Sequence, residues 1–128
     1  MTPQMLLAVA AGGALGSMGR YVVGVLMARL LGAGFPWGTL TVNIVGSFVM
    51  GLLIEAAALR GVLSVEARAF VFVGVLGGFT TFSSFSLDVV TLVQRDEVWA
   101  AGAYLAATLV VGVFALVFGL FVARQMLT

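Results

Sequence analysis

The run Gly77-Gly78-Phe79-Thr80-Thr81-Phe82-Ser83-Ser84-Phe85-Ser86-Leu87-Asp88 sets glycines, hydroxyls, phenyl rings and a carboxylate inside a long apolar block. At membrane depth such groups must be paired within the protein or face a cavity filled by water or ligand, so the run is a candidate site. Gly77-Gly78 followed by Thr80-Thr81 has the poorest helix propensity of the run, which predicts a break there and divides the block into two half-helices. The freed carbonyls have two possible fates: they coordinate a cation, or the Thr80 and Thr81 hydroxyls bond back to the chain and repair a kink. Beyond the break, Phe82 and Phe85 share one helical face, while Thr81, Ser84 and Asp88 follow at i, i+3 and i+7 on a neighbouring one. Phenyl edges carry the positive end of the ring quadrupole, so the pair fits either ordinary packing or a weak, dehydrated contact to an anion.

Two further rows carry polar groups. Thr39, Asn43 and Ser47 recur at i, i+4 and i+8, and Tyr104 and Thr108 repeat that spacing before Gly112 interrupts it. Each row reads as a track of donors or as glue between helices. Arg20 lies well inside the first apolar block, where it must reach the interface or face an aqueous cavity; its permanent charge would concentrate anions. The carboxylates Glu55 and Asp88 within apolar blocks both lie near block ends, which argues against a proton relay.

These residues are carried by a very apolar chain. Of 128 residues, 62% are hydrophobic and 9% charged, far from the roughly 25% charge of an ordinary soluble domain. Apolar blocks near Met5–Leu31, Gly38–Leu59, Val65–Val93 and Val98–Val122 each exceed the ~20 residues needed to cross a bilayer. We therefore expect an all-α membrane protein of four transmembrane helices in one domain spanning 1–128, the third helix broken near its middle. As one helix, the third block would overreach the ~30 Å hydrocarbon core, a second reason for a break. The first block reads as a span and not as a secretory signal, because it lacks a basic start and runs too long. Trp37 and Trp99 stand at span edges as interfacial anchors. A net charge of +1 predicts no nucleic-acid partner, and the absence of His and Cys removes the usual zinc ligands and general base, so we expect no enzyme.

Basic residues near the span ends are almost evenly divided: Arg60, Arg68 and Arg124 on one side, Arg29 and Arg95 on the other. Orientation follows that difference, so the near-balance predicts dual topology and antiparallel homodimers about a two-fold axis in the membrane plane. Small residues four apart, at Gly12 and Gly16, Ser47 and Gly51, and Gly74 and Gly78, supply surfaces for close helix packing.

Gly12-Gly13 through Gly16-Ser17 to Arg20-Tyr21, then Pro36-Trp37-Gly38-Thr39-Leu40-Thr41-Val42-Asn43, then Gly77 through Ser86 together resemble the Fluc/CrcB family of fluoride channels over the whole chain. The resemblance implies a dual-topology antiparallel homodimer with two fluoride pores, exporting cytoplasmic fluoride passively across a bacterial inner membrane. It implies that Phe82 of one subunit and Phe85 of the other line each pore, with Asn43 donating to the ion. Thr39, Ser84, Tyr104 and Thr108 fall where the family's polar track runs, and Gly112 departs from it by offering no hydroxyl. The backbone carbonyls of Gly77 and Thr80 resemble the family's central, structural sodium site, and Arg20 its vestibule arginine. A rival class, the small dual-topology multidrug exporters, needs a carboxylate deep in the first span, where this chain has Arg20 and no acid. An accessory subunit whose polar rows serve assembly alone would conduct no ions.

Overall fold

The computed structural model describes residues 1–61 and 63–128, which form helices with short connections and no strand among them. Helix α1 spans Pro3–Leu31; the Thr2 hydroxyl accepts the Met5 N–H at 3.2 Å, and Pro3 occupies the first turn, where no amide partner is needed. Helix α2 spans Trp37–Arg60 and stops at Gly61, whose φ of +62° suits glycine. Helix α3 covers residues 65–79: Ser64 caps it by accepting the Ala67 N–H at 3.1 Å, and its middle, Ala69–Leu76, is a wider π-helical stretch. Helix α4 spans Ser83–Gln94, and α5 spans Val98–Leu127 with a π-helical stretch at Ala107–Val111. Taken with the interrupted unit Val65–Gln94, four segments are long and apolar enough to cross a membrane, matching the four expected blocks. Trp37 opens α2 and the exposed Trp99 opens α5, both at helix edges.

The helix break falls within the expected stretch, at its Thr80-Thr81 end and not at its glycine pair. Gly77–Phe79 remains helical, and the chain turns extended only at Thr80 (φ −85°, ψ 159°), leaving Thr80, Thr81 and Phe82 outside regular helix. Close packing explains the difference. A Cβ on Gly78 would come within 2.8 Å of the Gly13 carbonyl oxygen of α1, so glycine is present here for helix approach and not for loss of helix.

Two closely packed pairs build the bundle. Gly12 faces Gly74, and Gly16 faces Val75 and Phe79, so α1 runs parallel to α3. Gly51 abuts Leu116 and Leu120, and Gly119 abuts Phe48 and Leu52, so α2 runs parallel to the second half of α5. An added Cβ at Gly119 would lie 2.7 Å from the Leu52 nitrogen, closer than side chains tolerate. The predicted small-residue surfaces at Gly12/Gly16 and Gly74/Gly78 thus meet each other, and Gly51 finds a partner in Gly119, which the spacing did not single out. Farther along the same pair, Arg124 of α5 holds Glu55 of α2 at 2.8 Å. Helix α4 folds back on α5 through a small core of Phe85, Leu92, Ala101 and Tyr104, with Phe35 and Leu40 of the first connection and α2 packed against it.

Candidate ion pathway at the helix break

Three helices hold the extended residues in place. The Asn43 amide of α2 faces the Thr81 backbone squarely: Nδ2 donates to the Thr81 carbonyl at 3.0 Å, and Oδ1 accepts the Thr81 N–H at 2.8 Å. This pairing fixes which end of the amide is which, and it leaves the second Nδ2–H of Asn43 unspent. From α1, Arg20 Nε donates to the Gly78 carbonyl at 3.0 Å. The Arg20 guanidinium thus ties α1 to the last turn of α3. Thr80 Oγ1 donates to the Leu76 carbonyl at 2.9 Å, and Thr81 Oγ1 accepts the Ser84 N–H at 3.2 Å, capping α4. The hydroxyl repair expected for a kink is thus present at Thr80, joined by a side-chain clamp from α2.

These substitutions redirect particular backbone groups. In a continuous helix the Thr81 and Ser84 N–H groups would close on the carbonyls four residues earlier, those of Gly77 and Thr80. Here both N–H groups are spent elsewhere, on Asn43 and on the Thr81 hydroxyl. The Gly77 and Thr80 carbonyls, expected to hold a cation, are among those that lose their helical donors at the break.

A groove of about 440 Å³ opens beside the break. Asn43, Ser47 and Met50 of α2 form one wall, Thr108, Gly112 and Val117 of α5 another, and Thr80, Thr81, Phe82 and Phe85 its head. Four of the residues expected along the pore, Asn43, Phe82, Phe85 and Thr108, therefore meet in one place. The two rings lie 5.7 Å apart at 53° but differ in setting: Phe85 is 5% exposed and Phe82 75%. Phe85 is locked by Tyr104, 5.3 Å away, whereas Phe82 projects from the chain. Beyond Phe85, Tyr104 is wholly buried and its hydroxyl donates to Asp88 Oδ2 at 2.9 Å, with the Thr39 side chain beside the Tyr104 hydroxyl. Thr39 and Tyr104 thus form a second polar cluster apart from the groove, and Ser84 engages the break through its backbone. Asp88, which spacing placed only at a wetted end, is joined to this cluster. Thr81 and Ser47 escaped the expected set; Ser47 had a signal, its place one turn beyond Asn43.

Residues 7–120 match the family model described as CrcB-like protein, Camphor Resistance (CrcB). The chain belongs to the CrcB family. Its similarity to curated relatives is high: it is 55% identical to the "Fluoride-specific ion channel FluC" of Agrobacterium fabrum over 92% of this chain and 94% of that one. Proteins of the same name from Rhodospirillum centenum and Caulobacter vibrioides are 53% and 52% identical, each over 94% of this chain and 96% and 95% of theirs. CrcB proteins bearing that name are ion channels and not enzymes. The break, its Asn43 clamp and the groove all lie within the matched residues.

Proposed function

We propose that this CrcB protein is a fluoride-selective channel through which cytoplasmic fluoride leaves the cell passively, down its electrochemical gradient. The observation that carries the reading is the groove at the break, where ring edges and hydrogen-bond donors meet in an apolar bundle. Fluoride is small and strongly hydrated, so a pore must replace its water with donors while narrow phenyl walls exclude larger halides. The unspent Nδ2–H of Asn43 is such a donor, held in place because the rest of the amide is bonded to Thr81. The names of the relatives support the choice of ion.

The working unit is an antiparallel homodimer with two pores in a bacterial inner membrane, inserted in both orientations. The exposure of Phe82 supports it: a ring 75% uncovered beside a buried partner ring suits a box completed by a second subunit, Phe82 from one and Phe85 from the other. Ions then pass between the groove and the Thr39, Ser84, Tyr104 and Thr108 track, and Arg20 contributes positive potential while holding Gly78. A sodium ion fits the Gly77 and Thr80 carbonyls, which are neutral hard oxygens without helical donors; two copies of the chain would present four. Bound there, it would supply fixed positive charge joining the subunits.

The test is fluoride efflux from liposomes containing only this protein. Release above that of empty vesicles, with chloride retained, is the expected result, and Phe82→Ile should suppress it while leaving the dimer intact. Vesicles that hold their fluoride defeat the channel reading, and equal chloride release defeats selectivity.

A further inference from the structure

Besides Asn43 and the residues of the break, the groove carries two hydroxyls, Ser47 on the α2 wall and Thr108 on the α5 wall; beyond Ser47, Met50, Leu116 and Val117 make the lining apolar. Elsewhere in these helices hydroxyls bond back along the chain, as Thr80 does to Leu76, Ser86 to Phe82 and Thr91 to Leu87. Thr108 does not. Its Oγ1 is closed to solvent and has no hydrogen-bond partner among the described residues, although buried polar atoms are normally satisfied. It sits in the π-helical stretch Ala107–Val111, a kind of irregularity that concentrates at functional sites.

Gly112, one turn beyond Thr108, sharpens the picture. It is buried, yet a Cβ built on it meets nothing within 4 Å. The glycines that pack these two helices together behave differently: a Cβ on Gly51 would come within 2.9 Å of the Leu116 carbonyl carbon, and one on Gly119 within 2.7 Å of Leu52. Gly112 therefore leaves space in the groove wall instead of closing a helix contact, and no side chain at that position competes with Ser47 for whatever enters.

We propose that Ser47 is an ion-contacting residue: its hydroxyl, one turn beyond Asn43 on the groove wall, takes over the anion's hydration from the donors at Asn43 and Thr108. This rests on the channel reading above and extends the donor set by one residue. An O–H donor turned to an anion needs no charge and forms at little cost in reorganisation, whereas the apolar lining beyond supplies nothing to replace water. Ser47 is then the last donor before the groove turns apolar and marks where rehydration must begin.

The experiment compares wild-type protein, Ser47→Ala, and Ser47→Ala combined with Gly112→Ser in the same liposome efflux assay, with melting temperature measured alongside. Loss of one donor from a dehydrated path should slow fluoride release about tenfold in Ser47→Ala. A hydroxyl added at position 112 enters open space and should restore most of that loss, which no packing role for Ser47 would produce. Unchanged release in Ser47→Ala overturns the assignment, as does slowed release that Gly112→Ser fails to restore. Wild-type vesicles that release no fluoride would sink the channel reading itself, and this inference with it.

Discussion

Replacing Asn43 with Ala removes both hydrogen bonds that hold Thr81, the bond to its carbonyl at 3.0 Å and the bond from its N–H at 2.8 Å. Each buried backbone group left without a partner costs about 1–3 kcal/mol, which puts the loss at about 2–6 kcal/mol if no water enters. The groove beside Thr81 holds about 440 Å³, enough to admit water to the vacated space. The lower part of that range therefore applies, about 2–3 kcal/mol, equivalent to a factor of about 30–150 in the equilibrium between clamped and released break. Amide hydrogen exchange in detergent micelles reads this directly, because protection of residues 77–88 reports local opening. Asn43→Ala should accelerate exchange there by that factor while the α2–α5 contact near Gly51 stays protected. Asn43→Asp keeps an acceptor for the Thr81 N–H but sets a carboxylate against the Thr81 carbonyl, so the Thr81 amide should stay slower than in the Ala variant. Equal exchange of residues 77–88 in Asn43→Ala and wild type would show that the clamp does not hold the break.

Gly119→Ala drives a methyl toward Leu52 and should destabilise the protein by about 1–3 kcal/mol, whereas Gly102→Ala meets nothing within 4 Å and should gain about 0.5–1 kcal/mol; thermal unfolding in detergent that ranks the two alike would refute the packing role of Gly119. Arg20→Lys keeps the charge but loses the Nε–H donor to Gly78, and should lower stability by about 1–2 kcal/mol while altering exchange at residues 77–81. An unchanged melting temperature and unchanged exchange would reduce Arg20 to a purely electrostatic role. Tyr104→Phe retains the ring contact with Phe85 but strips Asp88 of its donor, a loss of about 1.5–3 kcal/mol that Asp88→Asn should share only in part. Equal unfolding curves for wild type and Tyr104→Phe would deny that hydrogen bond.

The spans were legible because a bilayer demands long apolar segments, and no packing detail is needed to find them. Asn43, Thr80 and Arg20 were legible for the opposite reason: each is a polar group that membrane depth forbids without a partner. The partners were not legible. An i, i+4 row states which face a residue shares, but that Asn43 meets the backbone of Thr81, 38 positions on, depends on how α2 is pressed against α3 and α5. The glycine pair at 77 and 78 stays helical for a related reason: low helix propensity and close helix approach call for the same residue, and here approach accounts for it.

The break is also more constrained than its composition suggests. Arg20 of α1 holds the carbonyl of Gly78, Asn43 of α2 holds both backbone groups of Thr81, and the Thr81 hydroxyl starts α4. Three residues outside regular helix would be mobile if their groups bonded only to one another or to water; here Asn43 anchors Thr81 to α2, and Arg20 anchors the preceding turn to α1. That rigidity is what a size-based filter requires, because a loose wall adapts to a larger anion and loses selectivity. Polar side chains that first look like sites for an ion therefore also fix the backbone beside them, as Asn43 does at Thr81.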